Sequence, residues 1–194
     1  MSLIVLIGPH AVGKMTVGKE LEKQIEGKLL FNHQTIDLYA NFLGYTEDAF
    51  RLSDETRINL FESFVKNIKT NLTKTIIFTV LADFDSSSDI DFLEKIASIF
   101  LKEQQVVYFV ALNAAVETRI KRNIHENRLQ AKPSKQNITF SQNELITSME
   151  KYRLETSLEE LQTLFPKVTS MTIDNTCLSP QQVTNKIIKK FNLN

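Results

Sequence analysis

Cysteine is almost absent: Cys177 is the single one in 194 residues, so no internal disulfide can form and the fold rests on its core. A reducing, cytoplasmic setting is the expectation. The three histidines show no metal-ligand spacing with that cysteine. Net charge is missing too, since 23 basic residues balance 23 acidic ones. A neutral molecule has no whole-body field to gather DNA, RNA or an anionic membrane. Long apolar runs are also lacking. Leu3 to Ile7 is too short for a secretory core and meets Gly8 without a basic leader, and no other stretch is long enough for a bilayer. Repeats and low-complexity tracts do not occur. A chain of this length fills one core, which predicts a single domain over 1–194.

What is present begins at once. Behind Leu3-Ile4-Val5-Leu6-Ile7 stands Gly8-Pro9-His10-Ala11-Val12-Gly13-Lys14-Met15-Thr16, which reads as strand, glycine-bracketed loop, helix. The spacing nearly matches the phosphate-binding loop, in which glycines let backbone N–H groups converge on phosphate oxygens while a lysine adds a point charge. Gly8, His10, Ala11, Val12, Gly13, Lys14, Met15 and Thr16 are therefore the candidate nucleotide cradle. One letter departs from the pattern. Met15 stands where a hydroxyl normally meets magnesium, and the hydroxyl is displaced to Thr16.

Downstream, Val17, Leu21 and Ile25 mark a helix face, and Lys28–Phe31 a second strand. Asn32 to Asp37 then forms a polar patch at the strand's end, where open α/β sheets bind ligands. Residues 36–72 have helical periodicity with a break at Gly44 and predict two or three helices. Thr75–Ala82 reads as a strand buried on both faces, ending at Asp83 in the manner of a carboxylate that orients magnesium or its waters. A helix over 90–103 and a strand over 105–112 follow. The alternation predicts a mostly parallel sheet with helices on both faces. Residues 117–135 carry an excess of base through Arg119, Lys121, Arg122, Arg128, Lys132 and Lys135, and Leu129–Thr139 reads as a flexible loop, the setting in which guanidinium groups close over phosphates. Ser141 and Glu144 form a capping box that predicts one long helix stopped at Pro166. Val168–Ile173 gives a last strand, and Ser179-Pro180 opens a final helix.

On GPHAVGKMTVG at Gly8–Gly18, Phe50-Arg51-Leu52-Ser53-Asp54, VVYFVALNA with Arg119 and Arg128, and the closing Ile173-Asp174-Asn175-Thr176, nearly the whole chain resembles the nucleoside-monophosphate-kinase-like group of P-loop kinases, most closely shikimate kinases. The resemblance implies a three-layer α/β fold with a five-stranded parallel sheet, ATP with Mg2+ on the loop, and a lid over 119–139. It also implies Arg119 and Arg122 on the nucleotide with Asn175 and Thr176 beside adenine, Arg128 between phosphate and substrate, and Arg51 gripping the acceptor, with Arg153 facing the same pocket. Two departures fall on the acceptor side. Asn32 and Gln34 replace a pair of aspartates, and Leu81-Ala82-Asp83-Phe84 replaces a triple glycine, so shikimate is not the expected acceptor. Adenylate kinases also lack the hydroxyl directly after the lysine, so Met15 is compatible with transfer.

The expectation is an ATP-dependent kinase acting on a small hydroxylated or nucleotide-like acceptor. Lys14 and Arg128 would stabilise the phosphates. Asp37, Asp83 or His33 would serve as base, and Thr16, Asp37 and Asp83 would reach the metal through water. The competing reading is a nucleotide-binding regulator or slow NTPase whose basic segment meets RNA or a protein; an antibiotic phosphotransferase is the third. No DNA or membrane partner is expected, and either a monomer or a homodimer fits.

Overall fold

A computed structural model of the protein describes residues 1–124 and 137–193. Five strands, β1 (Ser2–Ile7), β2 (Gly27–Phe31), β3 (Thr75–Val80), β4 (Val106–Asn113) and β5 (Thr169–Asp174), form one sheet in the order β2-β3-β1-β4-β5. Every pairing is parallel. Parallel neighbours need crossovers, and the crossovers are helical. The described helices are α1 (Lys14–Gln24), α2 (His33–Leu43), α3 (Glu47–Lys66), α4 (Ser87–Lys102), α5 (Val116–Asn123), α6 (Ile138–Lys151), α7 (Leu158–Leu164) and α8 (Pro180–Phe191).

The central strand explains the layering. Successive side chains of a strand point to opposite faces, and β1 is apolar at every position from Leu3 to Ile7, all fully buried. Leu3, Val5 and Ile7 join a core with Phe61 and Phe64 of α3 and Ile96 and Phe100 of α4. Ile4 and Leu6 join a second core with Val17 and Leu21 of α1 and Val183 and Ile187 of α8. Each such side chain contributes about 1.5–3 kcal/mol on burial, which fixes β1 between two helical layers. The three-layer α/β architecture expected from the sequence is the one observed.

Two helix boundaries differ from expectation. The helix after the lid starts at Ile138, because Asn137 caps it by accepting from the Phe140 N–H at 3.0 Å. Ser141 is instead buried and donates to Asn123 Oδ1 at 3.2 Å. The long helix expected to run to Pro166 breaks after Lys151 and restarts at Leu158, where the Ser157 hydroxyl accepts from the Glu160 N–H.

Arg153, in that break, bonds Asp85 at 2.8 Å, the Phe84 carbonyl at 2.9 Å, and both oxygens of Glu160 at 2.8 and 2.7 Å. The Arg153 hydrogen bonds hold the Glu160 carboxyl below its ordinary value of 4.5. A depressed carboxyl pKa means that the unfolded chain binds the proton more tightly. The bridge therefore stabilises above that pH and is lost as the medium acidifies below it. Glu160→Gln is expected to cost about 1 kcal/mol at neutral pH. Urea titration of the variant should show a flatter loss of stability in acid than the parent, and identical slopes would count against the bridge.

Candidate active site

The loop between β1 and α1 has its shape imposed by the sheet. Gly8 has φ +144°, and a Cβ there would overlap the Leu112 carbonyl oxygen of β4. Ala11 adopts φ 58°, and Gly13, at the helix start, φ 109°. No side chain caps α1, which leaves its first amides directed outward, the arrangement that receives an anion. The Lys14 ammonium donates to the carbonyl oxygens of Gly8 and of Pro9, the latter at 3.0 Å.

The far rim of the loop is clamped from the C-terminal end of the chain. Arg122 donates to the Val12 carbonyl at 3.0 Å, to Asn175 Oδ1 at 3.0 Å and to the Asn175 carbonyl at 2.9 Å. Asn175 Nδ2 also donates to the Val12 carbonyl, at 2.9 Å. Burial pulls the Arg122 guanidinium below its ordinary pKa, and its charge is met by carbonyl dipoles. Arg122 is thus a strut of the cradle as well as a wall of it. Thr176 accepts from the Ala115 N–H at 2.9 Å and so fixes the entry to α5.

A cavity of about 920 Å³ opens at the C-terminal edge of the sheet. Its floor is the loop from His10 to Val17, including Met15 and Thr16. Asn175, Pro180 and Val183 close one end. Asn32, His33, Ile36, Tyr45, Phe50, Thr79 and Leu81 line the other, and α6 crosses above with Phe140, Asn143, Glu144, Thr147 and Lys151. Met15 also packs against the α1/α8 core, which accounts for an apolar residue beside the lysine.

His33 and Asp37 meet one helical turn apart on α2. Asp37 Oδ1 lies 2.9 Å from His33 Nδ1 and accepts from the Tyr45 hydroxyl at 2.8 Å. With Asp37 ionised, the Nδ1 proton points at the carboxylate and Nε2 is the basic nitrogen. Sequence reasoning singled out both residues separately; their spacing of four is the signal for the pair.

Of the expected residues, Gly8, Asp37, Asp83, Arg51, Arg119, Arg153 and Thr176 do not line the cavity. Arg51 projects from the outer face of α3, paired with Asp48 at 3.0 Å and Glu55 at 2.8 Å, while its neighbour Phe50 lines the cavity. Arg153 is held in the network with Asp85 and Glu160. Asp83 Oδ1 accepts from the backbone N–H groups of Asp85 and Arg153, at 3.1 and 3.0 Å. Arg119 is 1% exposed, and its Nη2 meets Met149 Sδ of α6 at 2.7 Å while its Nε has no hydrogen-bond partner. Burial lowers its pKa, offset by the charge of Glu155. Arg128 lies outside the described residues, as does most of the expected lid.

Arg57 was not singled out from the sequence. It is 4% exposed, bonds Thr35 Oγ1 at 2.8 Å, the Asn32 carbonyl at 3.0 Å and Asp54 at 2.7 Å, and lies over the Phe78 ring. It therefore braces the turn that presents Asn32 and His33. Its spacing of three from Asp54 was the available clue.

Among the described residues, no group of three His, Cys, Asp or Glu side chains is placed to hold a metal ion, and no helix is long and apolar enough to cross a membrane.

No family model and no curated protein matches the sequence. Solved structures do match in shape. The tunicamycin resistance protein of Deinococcus radiodurans is similar at a TM-score of 0.57 and 18% identity, over 100% of this chain and 96% of that one. Shikimate kinase from Acinetobacter baumannii, solved with shikimate, gives 0.52 and 21%, over 98% and 92%. A sugar kinase from Janibacter gives 0.55 and 12%, over 99% and 94%. The chain has the three-layer α/β P-loop kinase fold.

Proposed function

We propose that the protein is an ATP-dependent phosphotransferase acting on a small hydroxylated acceptor. The observation that carries this reading is a single cavity with an open helix N-terminus and lysine at its floor and the His33–Asp37 pair at its acceptor end. The kinases among proteins of similar fold support it. The loop amides, Lys14 and Thr16 would take the nucleotide phosphates, and Arg122 with Asn175 would shape the rim beside the base. Mg2+, carried on the phosphates and completed mainly by water, would neutralise their charge. Thr16 would offer its hydroxyl toward the ion, and Asp37 would reach it only through water.

In the reaction, the acceptor oxygen forms a bond to the γ-phosphorus as the bond to the β–γ bridging oxygen breaks. ADP leaves, and the acceptor proton passes to His33, held in its tautomer by Asp37. Arg128 and the remaining lid basic residues would complete phosphate stabilisation.

The test is ADP release measured with and without candidate acceptors. Acceptor-stimulated turnover is expected, and Lys14→Ala should lower it by about 10²–10³-fold, the usual size of a lost charge-stabilising donor. Turnover indifferent to every acceptor, with salt-sensitive RNA binding, would identify a nucleotide-binding regulator instead.

A further inference from the structure

Helix α2 carries the His33–Asp37 pair, yet no side chain caps its start. An asparagine at that place ordinarily accepts from the amides of the first turn. Asn32 does not: its backbone is already helical, with φ −47° and ψ −43°, and its Oδ1 is buried without a hydrogen-bond partner. The residue before His33 is held by its backbone instead. Its N–H donates to Thr79 Oγ1 of β3 at 3.1 Å. Its carbonyl oxygen accepts from the Ile36 N–H at 3.3 Å, from Thr35 Oγ1 at 3.3 Å and from Arg57 Nη2 at 3.0 Å.

Of the donors to that carbonyl, only Arg57 comes from another helix. Its Nε donates to Thr35 Oγ1 at 2.8 Å, so one planar guanidinium bonds residues on both sides of His33 and sets them together. The cost of this arrangement points away from a role in stability. Arg57 is 4% exposed, and burial pulls its pKa below the ordinary value. A buried charge of this kind is often replaced by an apolar side chain without loss of stability, provided no partner is stranded. None would be here. The Asp54 side chain is 47% exposed and keeps its water. Thr35 Oγ1 also accepts from Ser53 Oγ at 2.8 Å, and the Asn32 carbonyl keeps Ile36 and Thr35.

Resting on the phosphotransferase reading above, we propose that Arg57 is a positioning residue for the transfer. It acts through Asn32 and Thr35 to set the first turn of α2, and so holds the His33 ring where it meets the acceptor hydroxyl. Arg57 does not itself line the cavity, whereas Asn32 and His33 do. A base displaced by about 1 Å loses up to about 10²-fold in rate. The nucleotide loop, at the other end of the cavity, is untouched by the change.

The experiment measures acceptor-stimulated ADP release for Arg57→Met in two backgrounds, the parent and His33→Ala. In the parent, kcat should fall by about 10- to 10²-fold, with the KM for ATP within about twofold and the melting temperature within about 3 °C. In His33→Ala the same change should alter kcat by less than about twofold, because an interaction that works only through the base has nothing left to lose. Arg57→Lys, which keeps the charge beside Asp54, takes its place in both backgrounds should Arg57→Met fail to fold. An equal loss in both backgrounds, or a parent-background kcat within about twofold of the unmutated enzyme, overturns the proposal and leaves the kinase reading intact. The His33 ring resonance, assigned by its loss in His33→Ala, needs no turnover. It should move in Arg57→Met without nucleotide, and an unmoved resonance likewise overturns the proposal. A parent that no acceptor stimulates counts against the kinase reading and with it the role in transfer, while the resonance still decides whether Arg57 places His33.

Discussion

Gly8→Ala is expected to lower the melting temperature by about 10 °C and to abolish nucleotide binding. The added methyl meets the Leu112 carbonyl of the neighbouring strand, a backbone atom that cannot step aside. Overpacking of this kind costs about 1–3 kcal/mol. The left-handed φ of +144° adds strain of about 1–3 kcal/mol for any residue with a Cβ. In a domain of this size each kcal/mol shifts the transition by about 2–4 °C. Gly13→Ala supplies the contrast. Its Cβ would lie 3.7 Å from Asn175 Nδ2, an ordinary contact, so only the strain of φ 109° remains. The Gly13 variant should melt lower by about half as much as the Gly8 variant while still losing nucleotide affinity, because the altered loop carries the first amides of α1. Equal melting shifts for the two variants would show that the close approach to Leu112 is not what fixes the loop.

Removal of the base is the second large effect. His33→Ala should reduce kcat by about 10²–10⁴-fold, the range for a lost general base, with a smaller change in the KM for ATP, which lies at the opposite end of the cavity. Asp37→Asn keeps the ring in place and weakens only its orientation, so its loss should be intermediate. Tyr45→Phe removes the hydrogen bond from the Tyr45 hydroxyl to Asp37 Oδ1 and should cost least in kcat. That ordering separates a base with its supporting carboxylate from a lone carboxylate base, for which Asp37→Asn would be the most damaging change and His33→Ala mild. A kcat for His33→Ala within threefold of the parent would remove His33 from the chemistry.

How much of this could be read from the chain alone follows from what each signal depends on. The loop was legible because its meaning lies in spacing: two glycines and a lysine behind an apolar strand leave few backbone paths. The central strands were legible because unbroken apolar runs such as Leu3–Ile7 have only one sort of place in a sheet, and Ser179-Pro180 marked the last helix because a cap and a fixed φ are local properties. The arginines were less legible. Whether Arg51 or Arg57 faces inward depends on the rotation of α3 against Phe78 and Thr35, residues remote in the chain. Arg153 was expected in the pocket from the resemblance, which set it within the helix after the lid, yet that helix ends at Lys151 and Asp85 and Glu160 capture the side chain beyond it. Asp83 has the sequence signature of a metal-facing carboxylate, but local amide donors take up its Oδ1. Ser141 and Glu144 looked like a cap because the pattern is short and common, whereas Asn137 holds that role through geometry that a pattern does not encode.

The clamp on Val12 has a consequence for the order in which the molecule is completed. Gly8 to Lys14 is synthesised well before the two side chains that hold its rim, which lie 110 and 163 positions beyond Val12. Contacts so remote in sequence form late, because a long loop of chain must close before they are gained. A growing polypeptide therefore carries the letters of the cradle before it can set them, which waits until Asn175 has emerged and β5 has docked beside β4. Because the loop precedes the side chains that shape it, ligand capture reports on the fold through β5, and a molecule truncated before β5 would keep every letter of the motif while lacking its shape.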